Sequence, residues 1–217
     1  MPPDFLQFLS ANSSAVFGLM GAVGGGLLSF FASFILKKRD FNLQMWGKLF
    51  DRRIAAHEKV ISLAIEMRVM VTLGGIDENN ELRRAPQILL SKEAFEDWFT
   101  KFTLVTSEGT SWLTIETKRE VNFIQDYLTT LHMHLAYVTG ENYPHVGTII
   151  RQDFIDMSAS LEKKAFSFFQ HDIRELKLDS LDQHHKYELP ETEKRLRATA
   201  LMQDMSKIRT DIPPYSP

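Results

Sequence analysis

Hydrophobic and polar positions divide the chain into two unlike stretches. From Phe5 to Leu36 no side chain is ionisable, and Ala15 to Leu36 is almost wholly apolar. From Lys37 onward, apolar residues recur at helical intervals among charges. A helix of about 20 apolar residues, rising roughly 1.5 Å per residue, is long enough to cross the hydrocarbon core of a bilayer. Residues 15–36 are therefore predicted to form a transmembrane helix behind a short extracytoplasmic N-tail, residues 1–14.

The second stretch predicts helices almost throughout. Leu43, Trp46, Phe50, Ile54, Ile61 and Ile65 line one side of a helix from Phe41 to about Leu73, which Gly74-Gly75 should stop. It begins so close to the anchor that it would continue it as a stalk. The polar span "IDENNELRRAPQ" reads as a loop with Pro86 as a breaker. Ser91 is an N-cap with Glu93 in the first turn, and Phe95, Trp98, Phe99 and Phe102 then form a stripe at i, i+3, i+4 and i+7. Val121, Ile124, Leu128, Leu131, Leu135 and Val138 step 3-4-3-4-3, the seam of a helix packed in a bundle. Gly140 should end it, with "ENYPHVG" as a turn. Ile150, Phe154, Met157, Leu161, Ala165 and Phe168 mark a fourth helix. A last one opens at Pro190 and carries Ala198, Leu201, Met205 and Ile208. No segment alternates convincingly with period two. The expectation is an all-α chain: one N-terminal transmembrane helix, an antiparallel helical bundle over residues 37–209, and a disordered tail, 210–217, containing "DIPPYSP".

Five glycines crowd into the apolar segment: Gly18, Gly21, Gly24, Gly25 and Gly26. A dinucleotide-binding turn would need an apolar strand before them and an acid about 20 residues on. Here Phe17 and Leu19 lie among the glycines, no strand-like run precedes Ala15, and no Gly-Lys-Ser/Thr ending follows. A cleaved signal peptide would want positive charge in front and an apolar core of about 7–15 residues. This segment has Asp4 in front and Lys37, Lys38 and Arg39 behind, so it reads as retained. Basic residues collect on the cytoplasmic flank, which places the N-terminus outside and the C-terminal domain at the cytoplasmic face of the inner membrane. The triplet would also attract anionic lipid, at about 1 kcal/mol per charge, although setting topology is a sufficient account of it. Asn12-Ser13-Ser14 matches a glycosylation acceptor at the lipid edge and is taken as chance.

Small residues in this segment keep a spacing. Gly21, Gly25, Ser29 and Ser33 recur every four positions, and Gly18, Ala22 and Gly26 form a parallel row. Such rows let two helix backbones approach closely, although glycine is common in membrane helices anyway. With a single span in the chain, the partner would be another molecule, and a homo-oligomer through the transmembrane helix is expected.

Composition narrows the rest. About 180 residues beyond the anchor suit one compact domain. A net charge of −3 argues against a general nucleic-acid binder, and zero cysteine excludes disulfides, thiolate metal sites and a thiol nucleophile. Among the seven histidines, His132 and His134 are two apart and point different ways on a helix. His57 lies between Ile54 and Ile61 and reads as a hydrogen-bonded core histidine. His171 with Glu175 has the right step for one metal ligand pair but lacks a second pair. His184-His185, beside Asp179 and Asp182, reads as a solvated linker before a metal contact. Neither a di-iron Glu-x-x-His signature, nor His-Glu-x-x-His, nor Gly-x-Ser-x-Gly is present. In "LFDRRIAAHEKV", Arg52 and Arg53 could receive an anionic ligand or partner, with Asp51 and Glu58 as alternative pairing groups; a solvated charged face is the commoner explanation.

An apolar N-terminal anchor, a basic stop and a juxtamembrane "DRR-IAAHE" helix together resemble small single-pass bacterial proteins with helical cytoplasmic domains. Some members of that group act in defence against phage. The resemblance covers residues 15 to about 70 and implies no active site. The reading taken is a non-enzymatic, self-associating membrane protein, without cofactor or metal, whose bundle receives a protein partner or ligand and passes the change to the anchor. Two alternatives stay open. One is a pore-type effector, against which stands the lack of intramembrane charge. The other is a membrane-bound enzyme or metal binder with its site in the bundle.

Overall fold

A computed structural model describes residues 13–76, 80–172, 185–204 and 208. The order of elements is helix α1 (Ser13–Met67), strands β1 (Met70–Ile76) and β2 (Leu82–Pro86), a 3-10 turn (Gln87–Leu89), α2 (Lys92–Gly109) and a second 3-10 turn (Thr110–Trp112). Then follow α3 (Ile115–Leu135), a third 3-10 turn (Gly140–Asn142), α4 (Tyr143–Ile149), α5 (Arg151–Ser167), a π turn (Phe168–Asp172), α6 (Leu189–Arg197) and α7 (Ala200–Gln203). The chain divides into two compact units between Asp51 and Arg52.

In the first unit, the apolar segment and the start of the predicted stalk are parts of one uninterrupted helix, α1. Its large apolar side chains, among them Phe17, Leu19, Leu28, Phe30 and Phe31, are exposed.

The second unit is mostly helical around one apolar core. Phe95, Trp98 and Phe102 of α2, the predicted α3 seam from Val121 to Leu135, and Ile150, Phe154, Met157, Leu161 and Ala165 are all buried. Ser91 caps α2 as predicted, its hydroxyl accepting the Ala94 N–H at 3.1 Å. The C-terminal part of α1 departs from expectation. Its core face is Ala56, Val60, Leu63, Ala64 and Met67, whereas Ile65 is exposed and Ile54 and Ile61 are half-buried. Apolar residues lie on several sides of this helix, and on the side that packs the approach is close at Ala56, whose Cβ would stand 3.6 Å from one at Gly109.

The all-α expectation is corrected by a two-stranded antiparallel sheet. Met70 pairs with Pro86, Val71 with Ala85, Thr72 with Arg84 and Ile76 with Leu82. The helix stops at Met67, and Gly74-Gly75 lie inside β1, where the register is irregular between Thr72 and Ile76. Gly75 has φ +89°, which a side chain would strain. Half of the presumed loop is therefore β2, with Pro86 at its last position, where a missing N–H is tolerated. Likewise "ENYPHVG" is no open turn: it forms the third 3-10 turn and much of α4, with Tyr143 and Val146 buried. The last predicted helix is two, α6 and α7, broken at Thr199. The tail and Met205 lie outside the described residues, as does Asn12.

Gly147 fixes how α4 meets the hairpin. A Cβ there would fall 2.9 Å from that of Ala85, 3.3 Å from that of Leu89 and 3.4 Å from Cδ of Pro86. Gly147→Val is expected to destabilise the fold by about 2 kcal/mol through overpacking. Helix propensity alone predicts a gain of a few tenths of a kcal/mol, so the sign is diagnostic. Denaturant unfolding checks it, and an unchanged or raised midpoint would show that α4 is not held this closely.

Candidate functional site

Three clusters in the second unit join buried polar groups of distant segments. The first surrounds His57. Its Nδ1 lies 2.7 Å from the Arg53 carbonyl oxygen, and the Thr114 N–H donates to Nε2 at 3.3 Å. That pattern assigns a neutral imidazole carrying its proton on Nδ1. The ring stacks on Phe168 at 4.1 Å, and the Arg53 guanidinium lies over the same phenyl ring at 5.0 Å. His57 is thus a core histidine joining α1 to the residue that precedes α3.

The second place is Glu120, fully buried on α3. Arg195 of α6 holds its carboxylate with both ends of the guanidinium, at 2.7 and 3.2 Å, and the Tyr187 hydroxyl donates to it at 2.8 Å. Arg195 also lies 3.8 Å above the ring of Phe123 and 4.7 Å from that of Tyr187. Burial and the hydrogen bond to Glu120 push the Tyr187 phenol up to about 12.

The third is Asp153 of α5. It accepts from the Tyr127 hydroxyl at 2.9 Å and from the backbone N–H groups of Ala200 and Leu201 at 2.7 and 2.9 Å. Those two amides open α7, so a side chain distant in sequence supplies the cap of that helix. This explains the break at Thr199: an extended residue there frees both amides to face the carboxylate. Burial raises the pKa of Asp153 against the opposing pull of these three donors. Burial, reinforced by the Asp153 charge, raises Tyr127 well above the usual phenol value.

Glu120 and Asp153 together seat the C-terminal segment on α3 and α5, and Leu201 and Ile208 are buried with it. A fourth polar group, Glu66, accepts from Trp98 Nε1 at 3.1 Å and Lys101 Nζ at 2.6 Å. It borders a cleft of about 380 Å³ that Val69, Gln87, Ile88 and Ala94 also line. Among the described residues, no buried side-chain nitrogen or oxygen lacks a partner, and no three His, Asp or Glu side chains converge as metal ligands. These groups hold segments of the chain against one another.

His57 is the hydrogen-bonded core histidine expected from sequence, with Arg53 beside it; the other residues singled out from sequence fall elsewhere. Gly18, Gly21, Ala22, Gly25, Gly26, Ser29 and Ser33 lie on exposed α1, as do Lys37, Lys38 and Arg39. A Cβ at any of those glycines would meet nothing within 4 Å. Arg52 and Arg53 are not presented together to an anion. Arg52 is exposed beside Trp112, at 5.3 Å, whereas Arg53 is buried over Phe168, which also removes it from a solvated face. His132 stands beside Phe95, its ring centroid 6.1 Å away, and Arg83 donates to His145 Nδ1 at 3.2 Å. The His185 carbonyl accepts from Asn122 at 2.8 Å. The His171 side chain, Glu175, Asp179, Asp182 and His184 lie outside the described residues.

Sequence reasoning missed Glu120 and Asp153. Each does leave a signal, because each sits on an apolar face, Glu120 three and four residues before Phe123 and Ile124, and Asp153 three after Ile150 and four before Met157. Comparison with known families, characterised proteins and solved structures finds no match.

Proposed function

We propose that the chain is a membrane-anchored, self-associating protein whose helical domain acts at the cytoplasmic face as a non-enzymatic sensor or accessory interaction subunit. One observation carries the proposal: α1 holds an 18-residue window long and apolar enough to cross a membrane, none of it buried within the protein. In water each exposed Leu or Phe would forgo about 1.5–3 kcal/mol of burial, and lipid restores it. Lys37, Lys38 and Arg39 directly after this window favour an orientation with the N-terminus outside. Among the described residues nothing packs against Gly18, Gly21, Gly25 and Gly26, which supports their use against a second molecule.

The full chain is expected to sediment with membranes, to resist alkaline extraction and to keep its intact mass. A shortened product would point to a cleaved signal, and a full-length soluble one would remove the anchor. Gly21→Ile together with Gly25→Ile is expected to reduce the oligomer severalfold in native mass measurement from detergent. An unchanged oligomer would leave α1 as a tether alone.

A further inference from the structure

If the chain is anchored as proposed, α1 leaves the lipid at Leu36 and re-enters water after the basic triplet, and from Leu36 on it bears an apolar face that no described residue covers. Leu36 is 57% exposed, Leu43 59% and Trp46 41%. Stepping back from Trp46 by three and four residues meets Leu43, Arg39, Leu36, Ala32, Ser29, Gly25, Ala22 and Gly18. This is a 3.5-residue repeat on one uninterrupted helix. The residues are small from Gly18 to Ala32, where lipid would surround the helix, and large from its edge at Leu36 onward. Each size suits its solvent: close backbone approach drives association in lipid, whereas burial of large apolar groups drives it in water.

We infer that α1 forms a parallel coiled coil with a second copy of this chain, running in a single register from Gly18 to Trp46. The inference rests on the anchored reading, since one membrane topology makes all copies parallel. It is carried by the face from Leu36 to Trp46, with the small residues following the same register. The one charged seam position identifies the occupant. In a parallel pair a residue at this core position faces its own counterpart and packs beside the next position of the facing helix, so Arg39 of each copy, set against the other Arg39, reaches Asp40 of the other. Two identical helices thereby offset the Arg39 charges at the seam reciprocally. Lipid is a poorer occupant, because Trp46 stands roughly 10 Å along the helix past Arg39, beyond a headgroup layer about 6 Å deep. Phe41 and Met45 are also exposed but fall on other sides of the helix.

This register differs from the four-residue row, for it places Ala32 on the seam and Ser33 at its edge, one heptad before Asp40. The chain contains no cysteine, so single substitutions report cleanly. Ala32→Cys, Ser33→Cys, Leu36→Cys, Leu43→Cys, Gln44→Cys, Trp46→Cys and Lys48→Cys, each in the full chain in native membranes, are oxidised mildly and the disulfide-linked dimer is quantified. Positions 32, 36, 43 and 46 are expected to cross-link several times more than 44 and 48, with 33, at the seam's edge, in between. Cross-links at 32 or 33 with none at 43 and 46 would overturn the continuous seam and leave self-association in the membrane standing. Equal yields at every position would indicate random collision and also overturn it. No cross-link anywhere would remove both readings.

Discussion

Replacing Arg195 by alanine is expected to free the C-terminal segment from α3 without unfolding the remaining domain. The guanidinium holds both oxygens of a fully buried carboxylate and shields it with a flat face laid on Phe123. Its removal leaves Glu120 in apolar surroundings with a single hydroxyl donor, Tyr187. Breaking a buried ion pair by deleting one partner typically costs about 3–5 kcal/mol, and the partial exposure of Arg195 places this pair near 3. The domain has a way to limit that loss, because residues 187–197 can lift away and let water reach Glu120. The effect is therefore expected as local opening. Amides of α6 should exchange about 100-fold faster, as about 3 kcal/mol converts at 1.4 kcal/mol per factor of ten, while amides of α3 and α5 change less. Arg195→Lys keeps the charge but loses the two-pronged contact and the stacking, so an intermediate rate is expected. Alkali gives an independent readout. Because the Tyr187 phenol is raised to about 12 from an ordinary 10, its share of stability is complete below pH 10 and is lost as pH rises through 12. Wild-type protection of α6 in Arg195→Ala would show that the ion pair does not hold the segment.

Much of this architecture can be read from spacing alone. Leu128, Leu131, Leu135, Phe154, Leu161 and Phe102 announce the α2, α3 and α5 faces, because the residues that set the period are those that fill the core. The hairpin is harder to read for a physical reason. "MVTLGGI" is short, follows a helix directly and has no clean alternation, and its pairing rests on tertiary support from β2 and α4. On α1, apolar side chains point several ways, and the side that packs includes the close approach at Ala56, which a periodicity count ignores. The polar seats show the same division between local and distant information. Glu120 and Asp153 can be found as charges interrupting apolar faces, but their partners cannot. Arg195 lies 75 residues from Glu120, and the amides of α7 lie 47 and 48 residues from Asp153.

Asp153→Ala should strand three donors at once. The amides of Ala200 and Leu201 can recover water if α7 lifts, and the lost cap is then worth about 1 kcal/mol. The Tyr127 hydroxyl has no such recourse: it is buried beneath α5, and leaving it unpaired costs about 1–3 kcal/mol. A total loss of about 2–4 kcal/mol is expected in denaturant unfolding. Tyr127→Phe in the same chain should restore part of that loss, because it deletes the stranded donor, and the two substitutions should be non-additive. The pH dependence separates the carboxylate from mere packing. Burial raises the folded-state pKa of Asp153 above its ordinary 3.8, so the folded protein binds this proton more tightly than the unfolded chain. Its contribution is therefore complete below about pH 4 and declines as pH rises through the raised value, with a slope of at most about 1.4 kcal/mol per pH unit. Asp153→Ala should flatten that part of the stability profile while lowering the whole curve. A variant that unfolds at the wild-type midpoint, or that keeps the wild-type slope, would show that α7 is held by Leu201 and Ile208 alone, with the carboxylate incidental.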